Sequence, residues 1–189
     1  MAFPLKQAAF LVSFLLGSFP VLPVVAATAA TAANTQSAID AVDFSVVLNK
    51  QHFSLGDKWD EQAQKRAGMQ RSEAFVGDVP VGDSSYKFYQ HSYAGYDIYT
   101  ANLFWETQHR DVDSYLVAQI TLEAPGIATS RGISVGDTPS DVTKRYGRAM
   151  TDDSDNQHWL YYESNGKRLS FQIENDKVSR ITMVFNIDN

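Results

Sequence analysis

The sequence predicts an α+β protein of two similar halves. Each half is a short helix followed by an antiparallel β-meander, with the helices packed on one sheet face. Three observations predict it. A loop, a capped helix and a glycine stop run through Thr129–Gly147, and a fainter copy runs through Phe53–Gly68. Segments alternating apolar and polar residues follow each copy, as strands with one buried face do. Asn165-Gly166 and Asn175-Asp176 punctuate the last of these segments as hairpin turns.

The second copy carries the clearer helix signals. Thr138 is placed to cap, and Asp141, three residues on, to close a capping box. Pro139 occupies the first helical position, where a missing N–H costs nothing. Val142 and Tyr146 are four apart and share one face. Lys144 and Arg145 sit at the end that favours positive charge, and Gly147 suits a left-handed stop. A helix of about two to three turns does not persist alone in water, so its apolar face must dock on a sheet. In the first copy Asp57 is the expected cap, with Asp60 three residues on. Trp59, Ala63 and Ala67 form the apolar stripe and Gly68 ends it. Leu55-Gly56-Asp57 matches Val135-Gly136-Asp137. Ala63, Ala67 and Gly68 match Val142, Tyr146 and Gly147 one residue out of step. The pattern reads as a tandem repeat with one residue gained or lost.

Taken in order, the chain begins with a signal-peptide pattern over residues 1–27. Lys6 supplies a positive charge, Ala8–Leu16 an apolar run, and Val25-Ala26-Ala27 small residues for cleavage. Gly17, Ser18, Pro20 and Pro23 break the apolar run, so no stable transmembrane segment is expected after cleavage. Residues 28–37 read as a flexible linker. A single α+β domain is expected over 38–189, its repeats at about 53–122 and 133–186. Ala38–Leu48 reads as a helix to about residue 43, then an extended piece. Val76–Asp83 reads as a turn-rich connector. Ser85–His91, Tyr96–Phe104 and Ser114–Leu122 read as the three strands of the first meander. After the second helix, 148–156 reads as a solvated loop. His158–Glu163, Arg168–Ile173 and Val178–Phe185 read as the three strands of the second meander.

Composition bounds function by exclusion. The chain has 189 residues and a formal net charge of -6, with a pI of about 5.1, which argues against nucleic acid as a partner. It has no cysteine, so disulfides, thiol nucleophiles and a lipidated cysteine are excluded. Asp57, Asp60, Asp137 and Asp141 stand at helix-capping positions rather than as acid/base pairs. Asp152, Asp153 and Asp155 lack the spacing and ordering glycine of a calcium loop. Gly132 and Gly136 lie in a turn that precedes Asp137, which repels phosphate. His52, His91, His109 and His158 fall in four different elements, so no zinc site is expected. No nucleophile elbow is present. No catalytic residue, metal or cofactor is assigned.

The residues Gly132–Asp137, Asp141-Val142 and Tyr146-Gly147 resemble the repeat signature of small bacterial exported proteins. More distantly, the pattern is similar to the β-lactamase-inhibitor-like folds and to the small lipoproteins of outer-membrane assembly. The resemblance covers roughly 53–186 and is best in 129–147. The chain departs from the lipoprotein members in having no cysteine. The resemblance implies a binding or structural role, usually between proteins, and supplies no catalytic residue.

The first meander adds an observation of its own. Tyr86, Phe88, Tyr89, Tyr93, Tyr96, Tyr99, Phe104, Trp105 and Tyr115 crowd it, in both alternating sets. A two-layer domain buries one set, so the surplus marks a partner-binding surface. Tyr89, Tyr93, Tyr96 and Trp105 are the expected members. The functional expectation is an exported, periplasmic or extracellular, non-enzymatic binding module for a protein or cell-envelope partner. An enzyme acting on a cell-envelope polymer is the alternative, and it would need convergent carboxylates or a histidine pair.

Overall fold

Asp40 opens the described chain by capping a 3-10 turn, Ala41–Phe44, in a reciprocal capping box with Asp43. The computed structural model describes residues 39–81 and 84–186. The expected signal peptide and linker lie outside them. The turn leads into β1 (Ser45–Leu48) and β2 (Gln51–Ser54), which pair with each other antiparallel. Then come α1 (Glu61–Ala67), β3 (Ser72–Val81), β4 (Ser84–Ser92), β5 (Tyr96–Ala101) and β6 (Leu116–Leu122). The second half repeats the order with α2 (Pro139–Tyr146), β7 (Met150–Asp152), β8 (His158–Ser164), β9 (Lys167–Glu174) and β10 (Lys177–Phe185).

The two meanders join in one sheet. Among the described residues it has eight strands in the order β3-β4-β5-β6-β10-β9-β8-β7. Read inward from either edge, the strands of each half follow in chain order. The last strands of the two halves meet antiparallel at the centre, where Ile181 pairs with Leu122 and Met183 with Ile120. Alternation then places Ile98, Ile120, Met183, Leu169 and Tyr162 in one row across five strands, and all are buried. Both helices supply this face: Ala63 and Ala67 from α1, Val142 and Tyr146 from α2. The fold is therefore α+β, two helix-plus-meander units packed on one sheet face.

The repeat is visible at single hydrogen bonds. Asp57 and Asp137 each accept from the backbone N–H of a serine three residues earlier, Ser54 and Ser134, both at 2.8 Å. Gly56 N–H donates to Val117 O at 2.9 Å, and Gly136 N–H to Val178 O at 2.8 Å. Val117 and Val178 N–H return bonds to Asp57 O and Asp137 O, both at 2.8 Å. Each Ser-x-Gly-Asp loop thus docks beside the second residue of its half's last strand. Gly56 and Gly136 have φ of +94° and +100°, a conformation that a side chain strains. That requirement keeps Gly-Asp in both copies.

The structure corrects three expectations. Asp60, not Asp57, caps α1, accepting from the N–H groups of Gln62 and Ala63, because Asp57 is engaged in closing its turn. Trp59 is buried but precedes the helix. Each meander has four strands rather than three. β3 takes in most of the expected connector, because Pro80 and the bulge at Val76-Gly77 are tolerated on a sheet edge. β7 is three residues long and pairs with β8 inside the expected loop 148–156.

Candidate partner-binding surface

The four expected surface residues separate into three places. Tyr93 and Tyr96 belong to the core: their rings stack at 4.8 Å with planes 10° apart, and both are buried. Tyr96 Oη donates to the carbonyl of Ala67, at the end of α1. Tyr162 Oη does the same for Gly147, just past α2, at 2.9 Å. In both halves a tyrosine satisfies a carbonyl that the helix end leaves unpaired. Burial pushes the Tyr93 hydroxyl up to about 12, as expected for a phenol that does not ionise inside a core.

Trp105 lies in the connection after β5. It packs, half-buried, on a second cluster formed by Tyr86, Phe88, Ala101, Leu103 and Ala118. Tyr89 stands elsewhere. It shares a face with His91 on β4, the face that carries the helices, and it is half-buried. Its ring centroid is 5.2 Å from Phe75 on β3 and 5.4 Å from Tyr115 before β6. The Tyr89–Tyr115 pair is edge-on at 85°, a favoured arrangement of ring quadrupoles. Burial first, then Tyr89, Asp113 and Asp78, push the Tyr115 hydroxyl up to about 12.

Phe75, Tyr89 and Tyr115 thus form a ladder beside the β3 edge. Phe75 is 54% exposed. It was missed in the sequence because it stands next to the Gly77 and Pro80 signals. On the same face of β3, Glu73 and Asp78 flank Phe75 on either side, the bulge taking up the odd residue.

Behind the ladder lies a buried histidine. His91 Nε2 is 3.0 Å from Thr100 Oγ1, and its ring is 4.9 Å from that of Trp59. Nδ1 is 3.2 Å from a Glu73 carboxylate oxygen, close enough for an ion pair but off the direction of a hydrogen bond. Burial lowers the His91 pKa, and the Glu73 carboxylate opposes that shift only in part. At neutral pH the ring is uncharged.

A second polar cluster ties the first residues of the fold to the repeat loop of the second half. Asp43 is fully buried. It accepts from Arg131 Nε at 2.9 Å and Arg131 Nη2 at 2.5 Å, and from Ser130 Oγ at 2.6 Å. The Arg131 guanidinium also lies 4.8 Å from the centroid of the Tyr146 ring. Both carboxylate oxygens and the guanidinium are consumed within the protein, so the cluster is a clasp rather than an open site.

Among the described residues, no three His, Asp or Glu side chains converge as a metal centre. No helix among them is long and apolar enough to cross a membrane. His158 Nδ1 pairs with Asp153 at 2.5 Å, exposed on the surface. No protein-family model, curated protein or solved structure matches the chain. The relationship the structure displays is internal, between its own two halves.

Proposed function

We propose that the chain is an exported, non-enzymatic binding module, working in the periplasm or outside a bacterial cell. Its partner is a protein or another cell-envelope component, engaged through the aromatic edge of the first meander. The observation that carries the reading is Phe75, more than half exposed at the head of a ring ladder with Tyr89 and Tyr115. Aromatic side chains supply large contact area at low entropic cost and concentrate where proteins meet. The leader pattern supports export. The resemblance of Gly132–Asp137, Asp141-Val142 and Tyr146-Gly147 to the repeat signature of small exported bacterial proteins implies binding over catalysis.

The test is an affinity pull-down from the native cell envelope. It compares the wild type with a folded variant carrying Phe75→Ser and Tyr89→Ser. Loss of one specific partner, with the melting temperature retained, supports the reading. Equal recovery by both proteins refutes it. Turnover of an envelope polymer, abolished by a single Asp or Glu change, would replace binding with enzymatic action.

A further inference from the structure

From the arrangement of charge around the ladder we infer that the aromatic edge receives a cationic side chain, an arginine or lysine, of a protein partner. The inference rests on the binding reading above and adds the chemistry of the partner. Along the outer strand β3 one face reads Glu73, Phe75, Asp78. By strand register Phe75 stands between two acidic residues, Glu73 and Asp78, and Asp113 lies close enough to Tyr115 to influence its hydroxyl. A guanidinium set on the Phe75 ring meets the negative face of the ring quadrupole and acids on both sides. The two attractions act in the same direction.

Among the described residues no cationic group stands over the Phe75 ring. Lys58 lies 3.8 Å from Asp60. Lys87 is cross-strand from Asp78, yet no ion pair joins it to a carboxylate among the described residues. His91, opposite Glu73, is held neutral by burial. The protein's own arginine-on-ring contacts use other rings: Arg66 on Phe53, Arg131 on Tyr146 and Arg168 on Tyr161. A second copy of the chain is a poor occupant. Antiparallel pairing of two β3 edges about Phe75 and Val76 sets Glu73 against Asp78 of the other copy, acid against acid, and Pro80 and the bulge interrupt the ladder.

The experiment is an NMR titration of the mature protein with N-acetyl-arginine amide, observed at the aromatic ring resonances. N-acetyl-citrulline amide, which has nearly the same shape and no charge, is the control. Expected are saturable shifts of Phe75, Tyr89 and Tyr115, with arginine binding about five-fold tighter than citrulline. The preference should shrink with added salt. Phe75→Leu keeps an apolar side chain but no ring, and it should remove the preference. Asp78→Asn should reduce it, with both variants melting near the wild type. Equal shifts from citrulline, or an arginine effect that survives Phe75→Leu, overturn the inference. If the envelope pull-down still depends on Phe75 and Tyr89 while arginine shows no preference, the cationic chemistry is wrong and the surface stands. If neither depends on the ladder, both readings fail.

Discussion

Replacing Tyr146 tests how the second helix is held. The side chain is fully buried, with ring centroids 5.3 Å from Tyr162 and 5.4 Å from Phe171. Its hydroxyl donates to Thr129 Oγ1 at 2.8 Å, and Thr129 Oγ1 in turn accepts from the N–H of Ile133 at 3.1 Å. An aromatic side chain removes roughly 150–250 Å² from water. At about 25 cal/mol per Å² this corresponds to about 4–6 kcal/mol, an upper bound because unfolded chains bury some area. Measured aromatic-to-alanine losses in cores of about 3–5 kcal/mol agree. Tyr146→Ala should therefore cost about 3–5 kcal/mol. Tyr146→Phe keeps the ring and loses one hydrogen bond, so it should cost about 1 kcal/mol. Asp141→Ala removes half of a capping box on the exposed side of the same helix and should cost at most about 1 kcal/mol. Urea denaturation of the three variants, followed by tryptophan fluorescence, gives the order directly. A neutral Tyr146→Ala, or a larger loss at Asp141 than at Tyr146, would refute this division of core and surface.

Two further outcomes concern charge. Burial alone would raise the Asp43 pKa, but the hydrogen bonds from Arg131, Ser130 and the Asp40 backbone outweigh it and hold the carboxyl below its ordinary value. The stability it contributes is thus present above the ordinary carboxyl pKa and lost as pH falls through the lowered one. Asp43→Asn should cost about 3–5 kcal/mol at neutral pH and flatten the acid limb of a pH–stability curve; an unchanged acid limb would count against the clasp. His91 is lowered by burial, with Glu73 opposing. Below the ordinary histidine pKa the unfolded chain takes up a proton that the folded ring resists, so stability present at neutral pH is lost as pH falls toward the lowered value. His91→Phe should reduce that slope below the ordinary histidine pKa of about 6.5, and an identical slope in both proteins would show that another group is responsible.

The local plan of this protein was readable from its residues. Thr138, Pro139, Asp141 and Gly147 each act within one helical turn, so their spacing alone defines α2, and the capping box forms as the spacing predicts. The alternation in β8, β9 and β10 likewise tells which residues share a face, because side chains on a strand alternate whatever lies beyond it. Asp57 shows where local reasoning stops. Its spacing fits a helix cap as well as a turn, and the choice falls to Asp60 because Gly56 and Asp57 are drawn onto Val117, sixty residues away along the chain. The fusion of the two meanders was not readable either, since the pairing of β6 with β10 depends on edges that only meet in three dimensions. The aromatic surplus had the same limit. Tyr89 and Tyr96 look alike in sequence, yet Tyr96 lies under α1 with its hydroxyl on the helix end, while Tyr89 passes beyond that cover and meets Phe75. Composition and spacing determined that rings would be in surplus. Which rings stayed at the surface was decided by where a helix of only seven residues ends on a wider sheet.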